Sequence, residues 1–179
     1  MRHKLYAAYG SNLNLRQMKF RCPGAKLCGT GVIENYELQF KGLPYRAYAT
    51  IAPREGCSVP VAIWEISKQN EISLDRYEGF PSHYFKEDVS VNCGGEEIKA
   101  MVYFMNLKMD FGLPSPYYYA TVQEGYRNCG FDAAILEKAL QESSARYYSS
   151  CPQQESLLDT VDDEDVTEDA SEWCESDPF

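Results

Sequence analysis

The sequence predicts an α+β protein built around an antiparallel or mixed sheet. Segments with strand character come in runs, and helical segments lie between and after these runs instead of alternating with single strands. The 179 residues are 44% hydrophobic and 13% aromatic, which is enough for one buried core and short for two. We therefore expect one domain over residues 1–148 and an appendage over residues 149–179.

A small polar turn follows the first predicted strand, Lys4 to Tyr9. Gly10 is free there to adopt backbone angles that are closed to other residues, and the amides of Ser11 and Asn12 have no ladder partner. Unpaired amides at the end of a strand can hold an anion. The alternative is an ordinary strand-to-helix turn, in which Asn12 or Asn14 caps the helix that follows. These residues alone leave both interpretations open.

Strand signals dominate the first half of the chain after one short helix. Leu15 and Met18 are three residues apart, which indicates a helix that ends near Pro23 and Gly24. Apolar alternation then predicts one strand, and the turn residues of PREGC separate two more. The three predicted strands are LCGTGVIENYELQF, AYATIAP and SVPVAIWEI.

A helix and a hairpin are predicted next. Ser67 is suited to cap a helix through SKQNEISLDRY, with Ile72 and Leu74 facing inward and Gly79 at the left-handed C-terminal position. The Gly94–Gly95 turn then joins HYFKEDVSVN to EEIKAMVYFM as a hairpin.

Two further helices complete the predicted domain. Pro116 suits the first turn of one helix and Gly130 its end. Asp132 is the expected cap of the last helix, which presents an apolar face consisting of Ile135, Leu136 and Leu140.

The acidity of the chain is concentrated at its C-terminal end. The formal net charge is −10, but 11 of the 27 acidic residues lie from Glu155 onward and no Lys or Arg follows Arg146. Residues 1–146 therefore carry 16 acidic against 17 basic side chains. We expect the segment 149–179 to be an acidic, disordered tail. Neither part has the basic stripe of a nucleic-acid binder.

Several function classes lack their usual signals. Seven cysteines without a CxxC pair argue against a disulfide framework and a zinc site and favour reduced thiols. His3 and His83 are not in ligand or triad spacing, and the polar turn lacks the GK[ST] of a phosphate loop. No apolar stretch is long enough to span a bilayer or to act as a signal peptide. We expect a cytoplasmic protein with no metal, no cofactor and no membrane or nucleic-acid partner.

Carboxylate chemistry remains, and Glu78 is the candidate. It lies three residues after Asp75 at the end of a predicted helix, immediately before a turn and among the rings of Tyr77, Phe80, Tyr84 and Phe85. Aromatic surroundings would desolvate the carboxyl group and raise its pKa towards neutrality, where it can both accept and donate a proton. The alternative is a solvated glutamate at a helix end.

These segments together resemble the gamma-glutamylcyclotransferase family, which includes gamma-glutamylamine cyclotransferases and AIG2-like proteins. The resemblance covers about residues 4–145 and consists of YAAYGSNL, AYATI, VPVAIWEI, LDRYEG and PSPYYYATVQEGYRNCGF in this order. It implies a mixed, barrel-like sheet with flanking helices and no cofactor. It also implies that Glu78 is the single catalytic acid/base, and that the substrate-binding residues are Tyr6, Tyr9, Gly10, Ser11, Asn12, Leu13, Tyr84 and Tyr118.

The resemblance implies that a small-molecule gamma-glutamyl substrate is cyclised to 5-oxoproline with release of an amino acid or an amine. A leaving group with its own carboxylate would require a cation in the outer pocket, for which the candidates are Arg46, Arg54 and Arg76. The sequence leaves open a gamma-glutamylamine substrate, and a non-catalytic binding module whose acidic tail engages a basic partner. It does not determine the oligomeric state.

Overall fold

Five strands close into a barrel in the order β1-β3-β2-β4-β5. The computed structural model describes residues 3–106 and 108–150. The strands pair antiparallel, except where β5 returns to β1 in parallel through Met101 and Tyr6. The elements are β1 (Lys4–Ala8), a 3₁₀ turn (Ser11–Leu13), α1 (Leu15–Arg21), β2 (Lys26–Leu43), β3 (Arg46–Ile66), α2 (Lys68–Glu78), β4 (Tyr84–Cys93), β5 (Glu96–Met105), α3 (Pro116–Cys129) and α4 (Ala133–Ser150). The predicted α+β class with a mixed, barrel-like sheet is confirmed.

The two strands predicted on either side of PREGC are one strand, so that prediction was wrong. β3 runs without a break and pairs with β2 on both sides of residues 54–57. The register shifts at this point, because Asn35, with a φ of 61°, lies opposite residues 54–57 of β3, between the pairs Glu34–Ser58 and Tyr36–Pro53. The Asn35 side chain accepts a hydrogen bond of 3.1 Å from the Gly56 amide. The turn residues therefore form a bulge within a continuous strand instead of ending it.

Helix α2 has the predicted ends but a different inner face. Ser67 and Asn70 form a capping box, and Gly79 ends the helix with a φ of 67°. Leu74 is fully buried, whereas Ile72 is 36% exposed. The prediction for Ile72 was wrong because residues two apart in a helix lie about 200° apart around its axis. Asn14, not Asn12, caps α1 by accepting from the Arg16 and Gln17 amides.

Helices α3 and α4 cover the barrel as predicted. Ser115 caps α3 and Gly130 ends it in the left-handed conformation. Gly125 lets α3 approach the polar turn, because a Cβ there would lie 2.5 Å from the Leu13 Cβ. Helix α4 is tied to β2 by a 2.9 Å hydrogen bond from the Phe40 amide to the Ser143 hydroxyl.

The acidic tail predicted over residues 149–179 lies, from residue 151 onward, outside the described residues. Within the described part of the chain, no helix is long and apolar enough to cross a membrane.

Candidate active site

Two connected cavities lie at the mouth of the barrel. The inner chamber is lined by Tyr6, Tyr9, Gly10, Ser11, Asn12, Ala49, Glu78, Tyr84, Tyr103 and Tyr118. The outer groove has a volume of about 700 Å³. Ser11, Glu78, Tyr84 and Tyr118 line both cavities. The structure therefore brings all but one of the predicted site residues together, with Glu78 where the two cavities meet.

Glu78 is the last residue of α2 and is partly buried. Its Oε1 accepts a hydrogen bond of 2.8 Å from the Asn12 side-chain amide. Burial raises the pKa of Glu78 to about 7, against the positive charge of Arg21 and the Asn12 hydrogen bond, which lower it. Both protonation states of Glu78 are consequently accessible near neutral pH.

Both polar atoms of the Asn12 side-chain amide form hydrogen bonds. Its Nδ2 also donates to the Tyr6 hydroxyl at 2.9 Å, and its Oδ1 accepts from Arg21 Nη1 at 2.6 Å. The Arg21 guanidinium packs over the Tyr77 ring at 3.6 Å from its centroid. Sequence reasoning missed Arg21 because nothing in the sequence distinguishes it from Arg16 and Lys19, the other basic residues of the same short helix.

The tyrosines of the inner chamber are neutral hydrogen-bonding groups. Tyr9 donates to the Tyr103 carbonyl at 2.6 Å, and Tyr84 donates to the Ala49 carbonyl at 3.0 Å. The Tyr118 oxygen accepts from the Ala49 amide at 3.1 Å, and its proton has no acceptor among the described residues. Burial raises the pKa values of Tyr6, Tyr9, Tyr84 and Tyr118, so these hydroxyls remain protonated.

The polar turn differs from its prediction at Gly10. Gly10 has a φ of −109°, outside the left-handed region, so special backbone angles do not require glycine there. Instead, a Cβ would lie 3.3 Å from the Tyr118 hydroxyl and 3.4 Å from the Ala49 Cβ. Leu13 is fully buried against α3 and lines neither cavity, so its side chain is the predicted site member that the structure places elsewhere.

The amides of Ser11 and Asn12 begin the 3₁₀ turn. The hydrogen bonds of the turn run from Leu13 N to Gly10 O and from Asn14 N to Ser11 O. The backbone N–H groups of Ser11 and Asn12 take no part in these hydrogen bonds. The turn therefore caps α1 through Asn14 and also presents two amides, so the two interpretations of the sequence are compatible.

The outer groove is lined by cationic side chains. Arg46, Arg76 and Lys41 line it together with His83, although the spacing of His83 predicted no site. Glu78 is the only carboxylate among the described residues that line this groove. Arg54, the third arginine considered from the sequence, pairs instead with Glu37 and Glu142.

A family model described as gamma-glutamyl cyclotransferase, AIG2-like, matches residues 6–123. The matched segment contains the polar turn, Glu78, Tyr84 and Tyr118. The chain belongs to this family.

Known members agree with the match. The chain is similar to gamma-glutamylcyclotransferases of Bos taurus, 32% identical over 144 residues, and of Mus musculus, 30% identical over 143 residues. Each comparison covers 75% of this chain and 76% of the relative. A solved structure titled gamma-glutamyl cyclotransferase superposes with a TM-score of 0.70 at 28% identity, covering 77% of this chain and 86% of that one. The resemblance and the fold predicted from sequence are thus confirmed.

Proposed function

We propose that this member of the gamma-glutamyl cyclotransferase family converts a gamma-glutamyl amino acid to 5-oxoproline and a free amino acid, with Glu78 as the single acid/base. The observation that carries the proposal is the position of Glu78 between the inner chamber and the outer groove, with a pKa of about 7. A general acid/base is most effective when its pKa lies near the working pH.

The substrate supplies its own nucleophile in this reaction. The Glu78 carboxylate takes a proton from the substrate α-ammonium group, and the free amine attacks the side-chain carbonyl carbon to close a five-membered ring. The carboxylic acid then returns the proton to the departing nitrogen as the amide bond breaks. The extra proton that remains on the ring nitrogen passes, again through Glu78, to the released amine, so that the products are 5-oxoproline and an ammonium group. Neither a protein nucleophile nor a cofactor takes part. Folding the substrate into the cyclising conformer contributes an effective molarity of about 10⁵ to 10⁸ M.

The inner chamber contains the donors that the substrate needs. Two anionic groups require hydrogen bonds: the α-carboxylate of the substrate and the oxyanion that develops on the attacked carbonyl. The amides of Ser11 and Asn12 and the hydroxyl of Tyr118 are the available donors. We assign these donors jointly to the two anions. The two amides can bind the α-carboxylate while the Tyr118 hydroxyl binds the oxyanion, and the reverse assignment also supplies both anions with donors.

The charge of the outer groove favours an amino acid as the leaving group. A departing amino acid carries a carboxylate, whereas a departing simple amine carries none. Arg46, Arg76 and Lys41 line the groove, and their positive charges attract a carboxylate that enters it. A gamma-glutamylamine substrate would bring no anionic leaving group to this cationic lining.

We also place the enzyme in the cytoplasm. The support is its cysteine content, seven residues without a CxxC pair, of which the five in the described residues are free thiols.

The test measures 5-oxoproline by mass spectrometry after incubation with gamma-glutamyl amino acids and gamma-glutamyl amines. The wild type, Glu78→Gln and the exposed control Glu87→Gln are compared. We expect Glu78→Gln to lose about 10² to 10⁴-fold in turnover and Glu87→Gln to match the wild type. Equal turnover by Glu78→Gln would contradict its role.

Absence of product from every substrate, with folded protein, would instead favour a binding module. Deleting residues 151–179 separates these two functions further, because every described residue that lines the two cavities lies before this segment. We expect the truncated enzyme to retain its turnover.

A further inference from the structure

Arg21 lies at the C-terminal end of α1 and joins three parts of the structure. Its Nη1 donates to Asn12 Oδ1 at 2.6 Å and to the Ser11 hydroxyl at 2.9 Å. Its Nη2 donates to Gln17 Oε1 at 2.9 Å and to the Tyr77 hydroxyl. The guanidinium is thus fixed by acceptors from the polar turn, α1 and α2, and it lines neither cavity.

This contact determines which way the Asn12 amide points. A guanidinium group has donors only, so the atom of Asn12 that faces Arg21 must be the oxygen. The NH₂ group then faces Glu78 Oε1 at 2.8 Å and the Tyr6 hydroxyl at 2.9 Å. A flipped amide would turn its oxygen towards Glu78, which only a protonated carboxyl group would accept as a neighbour.

The charged and titratable groups around Glu78 differ in their position and in their effect on its pKa. The groups that face the chamber from the barrel and α3 are tyrosines, namely Tyr6, Tyr9, Tyr84, Tyr103 and Tyr118. Asp75, on the same helix, is paired with Lys86 and the Tyr103 hydroxyl. The remaining charged or titratable side chains that line the cavities lie in the outer groove: Lys41, Arg46, Tyr48, Arg76, Tyr77 and His83. The positive charge of Arg21 lowers the pKa of Glu78 against the larger effect of burial.

We propose that Arg21 is a positioning residue, which fixes the Asn12 amide with its NH₂ towards Glu78 and thereby stabilises the ionised form of the base. The catalytic part of this inference rests on the proposed function, because it takes Glu78 as the acid/base. The orientation of Asn12 and the ionisation of Glu78 do not depend on turnover. The positioning role of Arg21 and the catalytic role of Glu78 can therefore be tested separately.

The first experiment records kcat/KM against pH for the wild type, Arg21→Met, Arg21→Lys and the control Arg16→Met. Methionine keeps packing against Tyr77 but removes the donors and the charge. We expect the acidic limb of the Arg21→Met profile to move up by about one pH unit, with turnover at pH 7 about fivefold lower and KM nearly unchanged. Arg21→Lys should retain most of the wild-type profile, and Arg16→Met should match it because Arg16 is exposed on the same helix.

The second experiment titrates the Glu78 carboxyl carbon by NMR in protein labelled with ¹³C-glutamate, using Glu78→Gln to identify the signal. The midpoint should rise in Arg21→Met and stay near the wild-type value in Arg21→Lys. In an Asn12→Ala background the effect of Arg21→Met should shrink, because Asn12 transmits part of it. Arg21→Gln provides the same comparison with a smaller change, should Arg21→Met not fold.

The outcomes distinguish a failure of the positioning role from a failure of the proposed function. An unchanged midpoint in Arg21→Met or Arg21→Gln would overturn the proposal, as would a loss of turnover that is equal at every pH. If the midpoint rises while the wild type forms no 5-oxoproline, the positioning role stands and the proposed function fails.

Discussion

The Tyr103 hydroxyl donates a hydrogen bond of 2.6 Å to Asp75 Oδ1, which ties α2 to β5 one helical turn before Glu78. Lys86 of β4 donates to both oxygens of Asp75 and to Glu71 Oε1, at 2.7 to 2.9 Å. These contacts anchor α2 on the barrel, so they determine where its last residue lies relative to the polar turn.

Replacing Lys86 by methionine should destabilise the fold and weaken the site together. The change leaves Asp75 and Glu71 without their shared cation, and we expect a loss of about 1–2 kcal/mol in the free energy of unfolding. Urea denaturation measures it, with the exposed Lys99→Met as the control. A loss no larger than that of Lys99→Met would show that the anchor contributes little.

The Glu78→Gln variant should be more stable than the wild type above pH 7. Because the pKa of Glu78 is about 7 in the folded state and about 4.3 in an unfolded chain, the folded protein binds more protons between these values. Wild-type stability therefore falls as the pH rises through this window, and the deficit persists above it. We expect the Glu78→Gln variant to gain on the order of 3 kcal/mol above pH 7.

Denaturation of both proteins between about pH 4 and pH 9 tests this expectation. The difference should disappear at the acidic end, where Glu78 is protonated in both states. A constant difference across the whole range would mean that the charge of Glu78 is not its cause.

Arg46 should distinguish the two classes of substrate. In Arg46→Met, the KM for gamma-glutamyl amino acids should rise about two- to fivefold, as expected for one exposed charge contact in a binding site. The KM for gamma-glutamyl amines should change little, because their leaving group has no carboxylate. Arg54→Met is the matched control, since Arg54 pairs with Glu37 and Glu142 instead of lining the groove. Equal rises for both substrate classes would argue against an ionic leaving-group site.

Gly10→Ala should impair turnover more than stability. The new Cβ would lie 3.3 Å from the Tyr118 hydroxyl, so that the ring must shift by a few tenths of an ångström. Such a displacement of a proposed anion donor is expected to lower kcat by about tenfold or more, with less than about 1 kcal/mol lost in unfolding free energy. Steady-state kinetics and thermal unfolding measure the two effects. An unchanged kcat would show that the close approach to Tyr118 is not what requires glycine at this position.

Local signals in the sequence were sufficient where structure depends on neighbouring residues. Ser67 with Asn70 and Gly79 mark the ends of α2, and Pro116 and Gly130 mark those of α3. A cap satisfies backbone groups within three or four residues of itself, so its pattern can be recognised without the fold. The continuous β3 could not be recognised in this way, because Asn35 in the opposite strand accommodates Gly56.

The sequence by itself determined the family, the α+β class and most of the residues that line the inner chamber, because their types and order are local properties of the chain. Only the tertiary structure decided how these residues act on one another. Arg21 acquires its role from Asn12 and Tyr77, which belong to different elements. The pKa of Glu78 likewise depends on burial among tyrosines from several strands and α3, since desolvation is a property of the surrounding volume and not of sequence neighbours.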